Sequence, residues 1–229
     1  MLFRSLILIC TAVICFSCGA PSSNEPMLNI SKEKDPISNF WNWFVNNKTK
    51  LENINDNNRD ELLDAVLEQL HKINDGLSVE ISNEFEGIRD IVISAEGDKS
   101  NFPIVTKIVS AAPQIQGWTI TAFRQPVGID FTLEYKNLKF TPSEMFFSPL
   151  VREESLDLII YAKGIKGQDS NTVAHYGLIT MDNVLGEYDC VTKVRYYDFH
   201  DLDDKVDKSS LLPLTQVRSF VDSFHKQKK

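Results

Sequence analysis

The apolar residues of this chain change their period several times, and each change restricts what a stretch can become. Leu62, Leu63, Val66, Leu67, Leu70 and Ile73 recur at the 3.6-residue spacing of an amphipathic helix. Asn58 stands three residues before Glu61, in capping-box spacing, and Gly76 offers a stop. Directly afterwards the period drops to two. Leu77, Val79 and Ile81 alternate with Ser78, Glu80 and Ser82. Residues 88–95 read as a second strand, closed by Glu96-Gly97-Asp98. Alternation with one polar face predicts a half-exposed antiparallel pair.

The same reading extends along the chain. Asp35-Pro36 opens a helix that carries Phe40, Trp41, Trp43 and Phe44. These aromatics read as a terminal helix packed on the core rather than as a partner-binding anchor. Ser100 is placed to cap a short helix with Ile104, Val105, Ile108 and Val109, ended by Pro113. Trp118, Ile120 and Ala122 alternate as a strand. Residues 129–135, 137–140 and 156–162 are further strand candidates. Asp169 or Ser170 caps a helix with Val173, Ala174, Leu178, Met181, Val184 and Leu185, stopped by Gly186. Residues 188–199 read as the last strand, and Pro213 opens a C-terminal helix. There is no repeat period, and no linker between residues 35 and 225. The order predicts a single α+β domain over residues 35–229, a mostly antiparallel sheet with helices packed on one face.

The first residues carry a different signal. Met1 and Arg4 supply positive charge, residues 6–16 are apolar except for Thr11, and Ser17, Cys18 and Gly19 are small. That order predicts a secretory signal over residues 1–17. The run is too short to span a bilayer, which takes about 20 apolar residues. Cys15-Phe16-Ser17-Cys18 resembles the lipobox of bacterial lipoproteins. The resemblance implies cleavage before Cys18 and attachment of acyl chains such as palmitate to Cys18. Cys15 departs from the pattern, where an aliphatic residue is usual. The expected location is a bacterial membrane, outer or periplasm-facing. Residues 18–34, rich in Ser, Asn, Pro, Glu and Lys, read as a lipid-attached flexible tether.

Charge narrows the partners. The net charge is −8, and loss of Arg4 with the signal makes it one unit more negative. An acidic body does not suit nucleic acid, which needs a basic footprint, nor charge-driven binding to anionic lipid. Membrane through Cys18 and a protein partner are the expected contacts. Cys10 and Cys15 leave with the signal and Cys18 is acylated, so Cys190 is the one thiol left free. It reads as a buried structural cysteine within a strand, Tyr188-Asp189-Cys190-Val191, rather than as a nucleophile.

Candidate chemistry is sparse. The chain contains no Walker loop, G-x-G-x-x-G, G-x-S-x-G or H-E-x-x-H, and no cofactor or metal is expected. The richest acidic stretch is Asp198-Phe199-His200-Asp201-Leu202-Asp203-Asp204, with Asp207 nearby. It lacks the glycine and closing Glu of a calcium loop and reads as a solvated loop. His200 and Asp201 are the catalytic candidates within it, and His175 is a further candidate base. Arg124 ends a strand and Glu187 follows Leu185-Gly186. If those ends meet, the two side chains suit a bidentate pair.

Phe40-Trp41-x-Trp43-Phe44, Ile91-Val92-Ile93-Ser94-Ala95-Glu96-Gly97, Ala111-Ala112-Pro113, Gly117-Trp118 with Ala122-Phe123-Arg124, and Leu185-Gly186-Glu187 resemble a family of uncharacterised bacterial proteins over most of residues 36–222. The resemblance implies a single α+β domain and brings no reaction and no catalytic residues. The expected function is a lipid-anchored binding or interaction module of the bacterial envelope. The alternatives are a periplasmic hydrolase using the Asp198–Asp207 region and an immunity-like protein whose acidity suits a basic toxin. Whether the chain is an enzyme is left open.

Overall fold

The computed structural model describes residues 35–226, and these belong to one compact unit. The expected signal, Cys18 and the expected tether lie outside the described residues. The elements run α1 (Pro36–Glu52), α2 (Arg59–His71), β1 (Ser78–Ile81), β2 (Arg89–Ser94), α3 (Phe102–Ser110), β3 (Trp118–Ala122), β4 (Leu133–Tyr135), β5 (Leu138–Phe140), β6 (Phe146–Arg152), β7 (Ser155–Ala162), α4 (Ser170–Leu185), α5 (Glu187–Lys193), β8 (Tyr196–Asp201), β9 (Leu212–Pro213) and α6 (Val217–Lys226). The fold is α+β, and four of the six strand pairings are antiparallel.

The strands form three sheets, ordered β1-β2-β3, β4-β5 and β8-β7-β6-β9. Two of them share one design. β1 pairs antiparallel with β2, the chain crosses through α3, and β3 returns parallel to β2. Likewise β6 pairs antiparallel with β7, the chain crosses through α4 and α5, and β8 returns parallel to β7. Each unit is a hairpin plus a helical crossover with the second strand in the middle. This repeat is one of topology, which is why no period shows in the residues.

Each unit owns a core. The first holds Phe40, Trp41 and Phe44 of α1, Val66 and Leu70 of α2, Ile91 and Ile93 of β2, and Val105 and Ile108 of α3. Phe44 is fully buried and meets Trp118 edge-on at 5.0 Å. The Trp41 indole N–H donates to the carbonyl of Ile108 at 2.9 Å. Phe40, Trp41 and Phe44 are thus core, and Trp43 packs against it partly buried. The second core gathers Phe140, Phe147, Leu158, Ile160, Met181, Val184 and Val221. Gly177 lets α4 approach β8 closely: a Cβ there would stand 2.4 Å from the Phe199 ring.

Several local expectations are corrected. Residues 187–193 are helix α5, so Cys190 is buried in a helix and not in a strand. Tertiary placement behind Gly186, whose φ is 82°, overrides the local strand pattern. β6 adds a strand to those expected, and it carries Pro149, a residue that disfavours an internal strand. It is tolerated because β9 pairs only with Phe146 and Phe147, leaving the Pro149 edge open on that side. Asn58 does not cap α2; its carboxamide oxygen accepts from the Asn55 amide instead. Asp98, not Ser100, caps the turn before α3. Asp169 does cap α4, accepting from the Thr172 amide at 2.8 Å. Leu212-Pro213 forms β9 before the last helix begins.

Truncating Phe44 to Ala removes a ring from the centre of the first core. The expected loss is about 3–5 kcal/mol of unfolding free energy, read as a lowered urea midpoint.

Candidate functional site

The first sheet turns its apolar side to its helices and its polar side away from them. Glu80, Val92 and Thr121 are cross-strand neighbours on that second side. Ser82 and Asp90 continue it, joined by the Asp90 amide donating to the Ser82 hydroxyl at 2.8 Å. α4 of the second unit faces this surface with His175, Ile179, Asp182 and Asn183, spaced i, i+4, i+7, i+8 along one helical face. Between them lies a groove of about 550 Å³ that both units wall. Its rim includes Val127, which is 67 % exposed.

Arg124 is the fixed cation of the groove. Its Nε donates to Glu80 and its terminal nitrogen to Glu96 at 2.5 Å, bracketing the guanidinium between two carboxylates. The Ser78 hydroxyl also donates to Glu96. Partial burial works against the charge on Glu96, and the hydrogen bonds from Arg124 and Ser78 outweigh it, holding its carboxyl below the usual range.

Arg124 and Glu187 do meet, as the sequence suggested, but not through the guanidinium. Glu187 is fully buried. Its Oε1 accepts from the backbone N–H of Ala95 at 2.8 Å and of Gly97 at 3.2 Å, and its Oε2 from the N–H of Arg124 at 3.1 Å. The Glu187 N–H returns a bond to the Arg124 carbonyl at 2.9 Å. Glu96 and Phe123 adopt left-handed φ of 52° and 64°. In the first case the turn aims the amides on either side at one oxygen, a backbone nest for an anion.

Asp182 sits beside this joint. Burial pushes its carboxyl up to about 6; the nearby charges of Glu187 and Glu96 add to the rise, while a hydrogen bond to the Cys190 thiol and the charge of Arg124 oppose it. Burial likewise pushes the Cys190 thiol up, which keeps it an unreactive structural group.

His200 and Asp201 lie elsewhere, in a cavity of about 560 Å³ between β8, the loop after β7 and the first turns of α4. His200 Nε2 is 2.9 Å from Asp198 Oδ2, and both side chains are about half exposed. Asp201 is committed to the backbone: its Oδ1 accepts from the amides of Ile165 and Lys166 at 3.0 and 3.1 Å. It therefore does for the loop after β7 what Glu187 does for the loop after β2. Asp207 caps the Ser209 amide and is likewise local. Among the described residues no group of three or more His, Cys, Asp or Glu side chains is arranged to hold a metal ion. His175 and Asp182 share a face of α4, a pairing legible in their spacing. Their meeting with β1 and β2 was not.

Glu187→Gln keeps the side chain's shape but turns an amide donor toward a backbone donor. It should lower unfolding free energy by about 2–3 kcal/mol, measured as the urea midpoint against wild type. No family model, no curated protein and no solved structure matches the chain, so the family resemblance rests on the short motifs that carry it.

Proposed function

We propose that this chain is a lipid-anchored protein of the bacterial envelope that binds a ligand or partner in the groove between its two units. The groove carries the binding half of that reading. A polar sheet face and a polar helix face are held apart by the Glu187 joint, and polar side chains converge on an open volume of ligand size. Arg124 is pre-organised by Glu80 and Glu96, so a ligand that meets it meets an ordered group. The attachment half is supported by residues 1–18. Among the described residues no helix is long and apolar enough to cross a membrane, and the acyl chains expected on Cys18 supply an anchor of another kind. Each buried methylene contributes about 0.8 kcal/mol, so two or more chains hold a body of this size firmly.

Two measurements address the two halves separately. Cys18→Ser should move the protein from the membrane pellet to the carbonate-washed supernatant; a variant that stays wholly in the pellet removes the acyl anchor from the account. For the groove, a photo-crosslinking residue at Val127 should give one discrete adduct in native membranes, and the same probe at exposed Val151 should not. Adding Arg124→Ala should weaken that adduct about tenfold. Equal labelling at both positions, indifferent to Arg124, would remove the groove as the binding surface.

A further inference from the structure

We propose that the open edge of β8 binds an extended segment of a partner protein, one that alternates apolar and basic side chains and adds to the second sheet as a further strand. β8 ends the sheet ordered β8-β7-β6-β9 and has a strand on one side only among the described residues. A parallel ladder takes its bonds from alternate residues. Asp157 stands against Tyr196 and Ala162 against Asp201, and the Leu202 amide donates to the Ala162 carbonyl at 2.8 Å. By that alternation the backbone groups of His200, Asp198 and Tyr196 turn to β7, and those of Asp201, Phe199 and Tyr197 turn to the open edge. Two observations agree. The Phe199 amide donates to Asp198 Oδ1 at 3.0 Å, on its own strand. Pro149, which has no N–H to give, lies opposite Leu158, whose backbone groups then face β8. Arg195 bonds to the Leu156 carbonyl at 2.8 Å just before β8 begins and precedes the alternation.

The two ends of this sheet differ. β9, at the far end, is two residues long and holds Pro213, both devices that blunt an edge. β8 runs six residues without proline or lysine. A cavity of about 560 Å³ lies along it, lined by all six residues of β8 and walled by Ser170, Asn171, Val173 and Ala174 of α4. At about 3.3 Å per residue, a segment of equal length spans about 20 Å beside it.

Each side of the edge selects one set of side chains. Tyr197 and Phe199 pack partly buried against the second core, and with Ile165, Val173 and Ala174 they offer apolar contact to every second residue of the segment. Tyr196, Asp198 and His200 point the other way and are exposed. Asp201 is taken up by the amides of Ile165 and Lys166, and the Lys166 ammonium stands 4.0 Å from Asp203. Asp198 is thus the charge that meets the segment's outer residues. A basic side chain complements it, as it complements the net charge of −8. Asp198 Oδ1 holds the place of an incoming carbonyl on the Phe199 amide, while Oδ2 is 2.9 Å from His200. The added strand displaces Oδ1, and the carboxylate then pairs with the basic residue across the strands. None of these residues lines the groove between the units, so the edge stands whatever that groove binds.

Hydrogen exchange on the full chain in detergent tests it, with a blocked hexapeptide of alternating valine and lysine as the probe. At saturation the Tyr197, Phe199 and Asp201 amides should slow about tenfold or more. Those of Asp198 and His200, which face β7, should change little. The same peptide methylated on every backbone nitrogen should bind about tenfold more weakly, and so should its valine–glutamate counterpart. Asp198→Asn keeps an oxygen for the Phe199 amide but removes the charge, so it should weaken the lysine peptide about threefold. Edge amides that do not respond to the peptide overturn the proposal. So does equal binding of the methylated or the glutamate peptide, or an Asp198→Asn variant that binds like wild type. Tyr197 and Asp201 amides protected before any peptide is added also overturn it, since residues 18–34 or a second copy of the chain then cover the edge.

Discussion

A buried carboxylate with three backbone donors holds this molecule in its shape. Glu187 begins α5 in the second unit, and its two oxygens are taken up by amides that belong to the first. An unsatisfied charge in that position is costly, and a satisfied one strongly favours a single arrangement. Three bonds from two separate segments, 92 and 63 residues away, leave little freedom of position. The adjoining Gly186 adds to this. A Cβ there would come within 2.9 Å of Pro126, so the α4–α5 corner presses directly on the chain leaving β3.

The groove is a consequence of that joint. A half-exposed sheet normally shows its polar face to water. Here Glu187 brings α4 over that face, and Asp182 and His175 come to stand opposite Glu80, Asp90 and Thr121. Glu80, Asp90, Glu96 and Asp182 line the groove, with Arg124 as a bracketed counter-charge. The second unit repeats the principle on a smaller scale, with Asp201 gathering the loop after β7. In both units, the turn that leaves the central strand is closed by an acid from a later element. That makes Asp201 a structural group and leaves His200 with Asp198 as the remaining polar pair of its cavity.

Legibility in the sequence followed the range of the interaction involved. Helices α1, α2, α3, α4 and α6 announce themselves through spacing and through local caps such as Asp169, because those interactions span three or four residues. Strands β1, β2, β3 and β7 do so through alternation or a sustained apolar run. Two elements were misread for physical reasons. Pro149 hides β6, since its missing N–H matters only if a neighbour lies on that edge, and the neighbour's length is set elsewhere. The Tyr188–Val191 stretch has strand-like residues but is bent into α5 by Glu187 and the Gly186 corner.

The residue order by itself determined the α+β class, the elements and most of their buried faces, because periodicity is a local property of the chain. It also determined the acidic charge and the signal-like start. Only the tertiary structure decided that Glu187 would meet amides rather than the Arg124 guanidinium, that Asp182 would stand among two other carboxylates, and that two topological copies would enclose a groove. Those outcomes depend on contacts between residues far apart in sequence, and nothing in either partner alone encodes the distance at which they meet.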